Sequence, residues 1–216
     1  MKINENNKMK IGVLVSGRGS NLEAIIKSIE SGFLNNVEIA IVISDNPQAR
    51  ALEICKQHNV YAEYIYPGTS KTKLEGEEER VYIEKLKQKG VALVVLAGFM
   101  RVIKSNLINA FRGRIINIHP SLLPKYPGLH THRRVIEAKE KESGCTVHFV
   151  NELVDGGKRI MQAKVNVLES DTEETLAARI LEREHKILPL VIKIFADGKI
   201  DYQNFPDEPL IYEDKE

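Results

Sequence analysis

Long apolar runs are missing from this 216-residue chain: no stretch approaches the ~18 consecutive apolar positions of a membrane-spanning helix. The polar residues 1–9 also lack the apolar segment of a secretory signal. Cysteine is scarce. Cys55 and Cys145 lie far apart, and neither has a metal-binding spacing, which excludes a disulfide scaffold and a cysteine-based zinc site. Together these absences point to the reducing cytoplasm. Neither sign of charge is in surplus: 31 basic and 30 acidic residues leave a formal charge of +1. Nucleic-acid binders usually carry a basic excess, so that class is disfavoured. No Gly-Lys-Ser/Thr closes a phosphate loop of the Walker type. No His-Glu-x-x-His accompanies His119, His130, His132 and His148, so no metal is expected.

What is present fits an ordinary globular enzyme, with 43% hydrophobic and 28% charged residues. The length suits a single domain over residues 1–216, with residues 1–9 and 203–216 as loosely held tails. Residues 10–16 form a short β-branched run ending at Gly17, and Leu22, Ile25, Ile26 and Ile29 then recur on one helical face until Gly32. The same alternation predicts strands at 37–44, 60–66, 93–97 and 115–118. It predicts helices at 51–58, 74–89 and 107–111. The fold class is therefore α/β, with a doubly wound, mostly parallel sheet. Residues 145–150 and 160–165 flank Asp155-Gly156-Gly157 and add an antiparallel edge pair. Ser170 with Glu173 opens a long C-terminal helix that carries Pro189 and stops at Gly198.

Four places carry chemistry. Gly17-Arg18-Gly19-Ser20-Asn21 lies between the first strand and its helix, where exposed N–H groups and the helix dipole favour an anion such as phosphate. A dinucleotide fingerprint would need glycine at Leu22, although Asp45 occupies the place of a ribose-binding acid. Asn117 and His119 are two apart at a strand end, hence on one face, and an amide beside an imidazole makes an oxyanion site. The alternative is a loop histidine bonded to backbone. Asp155 is a natural turn residue unless the fold brings it to His119. Glu184 lies on the apolar stripe between Leu181 and Leu188, so it either reaches the edge or faces a ligand pocket.

These residues fall into motifs that resemble one family. Ser16-Gly17-x-Gly19-Ser20-Asn21, Leu96-Ala97-Gly98-Phe99-Met100-Arg101, Asn117-Ile118-His119-Pro120-Ser121-Leu122-Leu123-Pro124, and Val147-His148-Phe149-Val150 with Asp155-Gly156-Gly157 all resemble phosphoribosylglycinamide formyltransferases. The resemblance runs over about residues 10–200, in the family's order and spacing. It implies a Rossmann-like formyltransferase fold and transfer of a formyl group from 10-formyltetrahydrofolate to the amine of glycinamide ribonucleotide, in purine synthesis. No metal, nucleic acid or membrane is implied. Gly19, Ser20, Asn21 and Glu184 would bind the nucleotide substrate. Met100, Arg101, Val102, Ile103 and Asn117 would line the folate pocket. Asn117, His119 and Asp155 match the catalytic residues, with His148 beside them. Asn117 and a protonated His119 would stabilise the oxyanion, and Asp155 would keep His119 charged and aid proton transfer. One departure stands out: the family often has a folate-contacting arginine in the segment before the charged helix, whereas here Lys71-Thr72-Lys73-Leu74-Glu75-Gly76-Glu77 has none before Arg80, so Lys73 and Arg80 are the candidates to replace it, unless the contact is lost. Methionyl-tRNA formyltransferases and formyltetrahydrofolate deformylases resemble the same core but carry extra domains.

Overall fold

The computed structural model describes residues 8–214. Most of the expected N-terminal tail lies outside the described residues, and Met9 already opens the first strand. In chain order, β1 (Met9–Val15), α1 (Ser20–Glu30), β2 (Val37–Ser44), α2 (Arg50–Gln57) and β3 (Ala62–Tyr64) alternate. Next come β4 (Lys73–Leu74), α3 (Gly76–Gln88), β5 (Leu93–Leu96), β6 (Val102–Ile103) and α4 (Ser105–Ala110). The chain then runs through β7 (Ile115–His119), α5 (Thr131–Glu137), β8 (Glu142–Phe149), β9 (Arg159–Asn166), α6 (Glu173–Ala196) and β10 (Leu210–Tyr212).

One sheet has the order β10-β9-β8-β7-β5-β1-β2-β3. All its neighbours pair in parallel except β8, which is antiparallel to both β7 and β9. The chain builds outward from β1 to β3, then returns to the other side of β1 for β5 and β7. That reversal opens a crevice at the carboxyl ends of β1 and β5, where α/β sheets bind ligands.

Strand alternation sorts the core into two layers. Ile11, Val13 and Val15 of β1, with Leu93 and Val95 of β5, join the cluster that contains Leu22 and Ile25 of α1 and Ile180, Ile187 and Val191 of α6. Leu14, Val94, Leu96 and Ile115 face the opposite cluster with Tyr82 and Leu86 of α3 and Leu107 of α4. Asn117 and His119 follow Ile115 on that second face, at the end of β7. In the antiparallel register Asn117 lies opposite His148, and His119 opposite Thr146. A row of polar side chains thus continues across two strands.

Several elements depart from the sequence expectations. The helix α6 is capped by Thr172, not Ser170: Thr172 accepts from Thr175 N–H and Thr175 accepts from Thr172 N–H, a reciprocal capping box. The helix continues through Pro189. Residues 203–214 are better anchored than a loose tail. Phe205 is buried, Tyr202 and Phe205 pack edge-on against Phe149, and β10 adds a strand outside β9. Leu74 belongs to β4, which pairs with β6, so the charged helix starts two residues later, at Gly76.

Candidate active site

The glycine turn lies at the carboxyl end of β1. Gly19 is the N-cap of α1 with φ of 77°, in the left-handed region, and a Cβ there would stand 2.8 Å from the Ala51 Cα. Glycine is needed at this position for the backbone angle and for the approach of α2. No side chain caps α1, so its N-terminal N–H groups face the crevice without a competing side-chain acceptor. Asn21 follows in the first turn. Its Nδ2 donates to Glu184 Oε2 at 2.7 Å, and its Oδ1 has no partner among the described residues.

Glu184 reaches this turn from α6 and does not extend to the edge: it is only 7% exposed. Burial pushes its carboxyl pKa up to about 7, against the pull of the Asn21 hydrogen bond and the Arg18 charge. Two acceptor oxygens, Asn21 Oδ1 and a carboxylate that readily takes a proton, therefore lie together beside an anion-favouring helix end. The raised pKa also has a stability consequence. Below about pH 4.5 the carboxyl is protonated in both folded and unfolded chains and contributes nothing. As pH rises to about 7 the unfolded chain ionises first, so the folded state loses roughly 3 kcal/mol. Glu184→Gln is expected to remove that slope, read as the difference in urea-unfolding free energy between pH 5 and pH 8. Equal slopes in variant and wild type would contradict the burial of a titrating carboxyl.

At the end of β7, the three residues singled out by sequence meet. His119 Nδ1 is 3.3 Å from Asp155 Oδ2, and Asn117 Nδ2 is 3.4 Å from Asp155 Oδ1. Asp155 comes from the loop 150–158 between β8 and β9, with φ of 52°, and its Oδ2 accepts the Gly128 N–H at 2.8 Å. His148 adds a fourth group. Its Nδ1–H donates to the Phe149 carbonyl at 2.7 Å, which leaves Nε2 as the acceptor for Asn117 Nδ2 at 3.1 Å. The amide of Asn117 is thereby oriented, with its longer contact to Asp155 the one more easily exchanged.

The electrostatics correct one expectation. His119 was expected to stay charged beside Asp155, yet its pKa lies below the ordinary value. Burial is the largest cause; the Asp155 charge and the bond to Tyr126 oppose it without overcoming it. His119 Nε2–H donates to the Tyr126 carbonyl at 2.9 Å, so in the neutral ring the Nδ1 lone pair faces the carboxylate. For Asp155 the balance reverses. Burial would raise its pKa, but the neighbouring His148 and His119 side chains and the Gly128 N–H lower it. Both directions favour a carboxylate beside a neutral imidazole, with a place for one proton between them.

The segment 100–103 follows β5 across the crevice. Met100 donates its N–H to Ser16 Oγ at 2.8 Å, and its side chain is 64% exposed. Val102 and Ile103 form β6 against β4. Arg101 turns inward: its Nε donates to Asp45 Oδ2 at 2.6 Å, and its Nη1 donates to the carbonyls of Ser70 and Lys73. Asp45 thus pairs with an arginine through Oδ2, and its buried Oδ1 has no partner among the described residues. Arg80, one candidate for the missing folate-contacting arginine, pairs with Glu77 on its own helix. Cys145 is buried, and burial followed by the Glu184 charge holds its thiol well above its usual range, which disfavours the reactive thiolate.

Sequence reasoning missed three supporting groups: the Tyr126 carbonyl, the Gly128 N–H and the Asp45–Arg101 pair. The first two are backbone atoms, which no residue pattern announces. Asp45 was noticed without its arginine.

Residues 9–192 match the formyl transferase family. Phosphoribosylglycinamide formyltransferase of Escherichia coli K12 is 41% identical over 192 residues, covering 89% of each chain. That of Haemophilus influenzae is 44% identical, covering 88% of this chain and 89% of its own. Among solved structures, glycinamide ribonucleotide transformylase 1 from Symbiobacterium toebii superposes with a TM-score of 0.87 at 42% identity, covering 93% of both chains.

Proposed function

Because this chain belongs to the formyl transferases, and among them to the phosphoribosylglycinamide formyltransferases, we propose that it transfers a formyl group from 10-formyltetrahydrofolate to the amine of glycinamide ribonucleotide. The observation that carries this reading is the convergence of Asn117, His119 and Asp155 at the sheet's carboxyl edge, between an anion-favouring helix end and the 100–103 segment. The chain, residues 1–216, acts as one catalytic domain. No helix among the described residues is long and apolar enough to cross a membrane, and the cytoplasm is the compartment that suits two unpaired cysteines.

The substrates divide the crevice. The N–H groups of Ser20 and Asn21 at the start of α1 hold the phosphate, and Asn21 Oδ1 with Glu184 takes the hydroxyls of the adjoining sugar. Backbone groups of residues 100–103 read the folate ring. Met100, Leu129, Leu153 and Val154 are exposed apolar side chains on the segments around the site, a surface suited to a flat heterocycle.

Chemistry follows from the resting protonation. The neutral amine attacks the formyl carbon, and its oxygen gains negative charge. Asn117 Nδ2 turns its N–H from Asp155 to that oxygen, a contribution of about 3–4 kcal/mol for an oxyanion donor. The His119–Asp155 pair accepts the proton released by the attacking nitrogen and passes it to the leaving nitrogen of the folate, so the carbon–nitrogen bond breaks without an unstable anion. While it holds that proton, the pair presents a positive imidazolium to the oxyanion. The charge on His119 is therefore made during the reaction.

Loss of 10-formyltetrahydrofolate should require glycinamide ribonucleotide, with one formyl transferred per folate consumed. Consumption independent of the acceptor would indicate a hydrolase. Arg101 supplies a narrower prediction. Arg101→Ala releases Asp45, Ser70 and Lys73 together, and the folate KM is expected to rise roughly tenfold, the loss of about 1.4 kcal/mol of pocket order. The nucleotide KM should move little. Equal changes in both constants would show a general loosening of the crevice.

A further inference from the structure

The catalytic pair is held from both ends by one short segment. Tyr126 O accepts from His119 Nε2, and two residues later Gly128 N–H donates to Asp155 Oδ2. Between them, the Pro127 carbonyl accepts from Arg134 Nη1 at 2.6 Å, and the Leu129 carbonyl accepts from the same nitrogen at 3.4 Å. The Arg134 guanidinium also lies over the Tyr126 ring, 5.3 Å from its centroid. Tyr126 itself is in the left-handed region, φ 57°, and its hydroxyl donates to Glu140 at 2.9 Å. An uncommon backbone angle is thus kept by side chains from α5 and the turn after it.

From this geometry we infer that Arg134 is a positioning residue for the proposed transfer reaction: through residues 126–129 it sets the orientation of the His119–Asp155 pair and lends its charge to the pair's proton balance. The inference rests on the reading of His119 and Asp155 as the proton-handling pair. Arg134 acts at one remove. Its contacts are with carbonyl oxygens and an aromatic face, and no atom of His119 or Asp155 is bonded to it.

Two effects of Arg134 can be separated. Its Nη1 holds the Pro127 and Leu129 carbonyls while the planar group lies over the Tyr126 ring, so loss of the guanidinium lets the Tyr126 carbonyl and Gly128 N–H drift from His119 and Asp155. Its positive charge disfavours the imidazolium. The charged and titratable groups that act on His119 are Asp155 from the loop 150–158, His148 from β8 and Arg134 from α5, with His132 of α5 feeling His119 in turn. Removing Arg134 leaves Asp155 less opposed and moves the His119 titration to higher pH.

The test compares Arg134→Met and Arg134→Lys with wild type. Arg134→Met should lower kcat roughly 10- to 100-fold, as expected when reacting groups shift by about an ångström, with both KM values within about twofold. Its acidic limb in the pH–rate profile should move to higher pH. Arg134→Lys should retain the wild-type limb while losing part of kcat, because it keeps the charge and loses the planar guanidinium that spans the two carbonyls and the Tyr126 ring. The His119 ring is followed in parallel by NMR titration of the ligand-free proteins, with urea unfolding to verify that each is folded. An unshifted His119 titration in folded Arg134→Met, or an unchanged kcat, overturns the assignment of Arg134. A wild-type protein that transfers no formyl group overturns the functional reading instead, and the NMR titration still decides whether Arg134 governs His119.

Discussion

Replacing Asp155 with asparagine is expected to lower kcat by roughly 10²–10⁴-fold, the range typical of a lost acid–base partner, with modest changes in either KM. The substitution keeps the shape of the side chain and removes its charge. Asp155 stands 3.3 Å from His119 Nδ1, 3.4 Å from Asn117 Nδ2 and 3.5 Å from His148 Nε2, with the Gly128 N–H on Oδ2. Among the described residues it is the one acidic group that raises the His119 pKa against burial. Without it the imidazole should hold a proton less readily still, so the pair no longer collects the proton from the attacking amine. NMR titration of His119 should show a further fall in pKa, and single-turnover kinetics should place the loss in the transfer step. Unchanged titration of His119 in a folded Asp155→Asn protein would contradict this, and Asp155 would then be a residue of the β8–β9 turn.

Asn117→Ala is expected to reduce kcat roughly 10²–10³-fold through loss of an oxyanion donor. Its amide is held in place by His148 Nε2, a bond that orients the side chain before substrate arrives. Truncation leaves that nitrogen unpaired, a stability loss of about 1 kcal/mol, which is small beside the kinetic effect. The double variant with Asp155→Asn should lose less than the product of the two single losses, because both residues serve one developing charge. A change confined to KM would show that Asn117 only binds folate.

Much of this architecture is legible in the chain because its strands are short, apolar and bounded by glycine or polar turns. Residues 37–44 form a strand with the bounds their β-branched run suggests. The legible part of the site is similar in kind. Asn117 and His119 share a face because side chains alternate on a strand, and the Glu184 position on an apolar stripe marks a buried carboxyl. Long-range partners are not written locally. Nothing in residues 150–158 announces that the turn folds back onto β7, since that follows from the antiparallel seating of β8. The two-residue strands β4 and β6 are too short to carry a period, and β10 exists only because β9 offers an edge. The protonation of His119 was misjudged for a comparable reason: the neighbouring carboxylate is visible in sequence motifs, whereas the burial that outweighs it is a property of the fold.

The central claim is the direction of group transfer, and one labelling experiment addresses it. The protein is given 10-formyltetrahydrofolate labelled at the formyl carbon, together with glycinamide ribonucleotide. The expected result is label on the glycinamide amine, in step with release of tetrahydrofolate, and none without the acceptor. Label released as formate at the same rate with or without glycinamide ribonucleotide would contradict a formyltransferase acting on that amine.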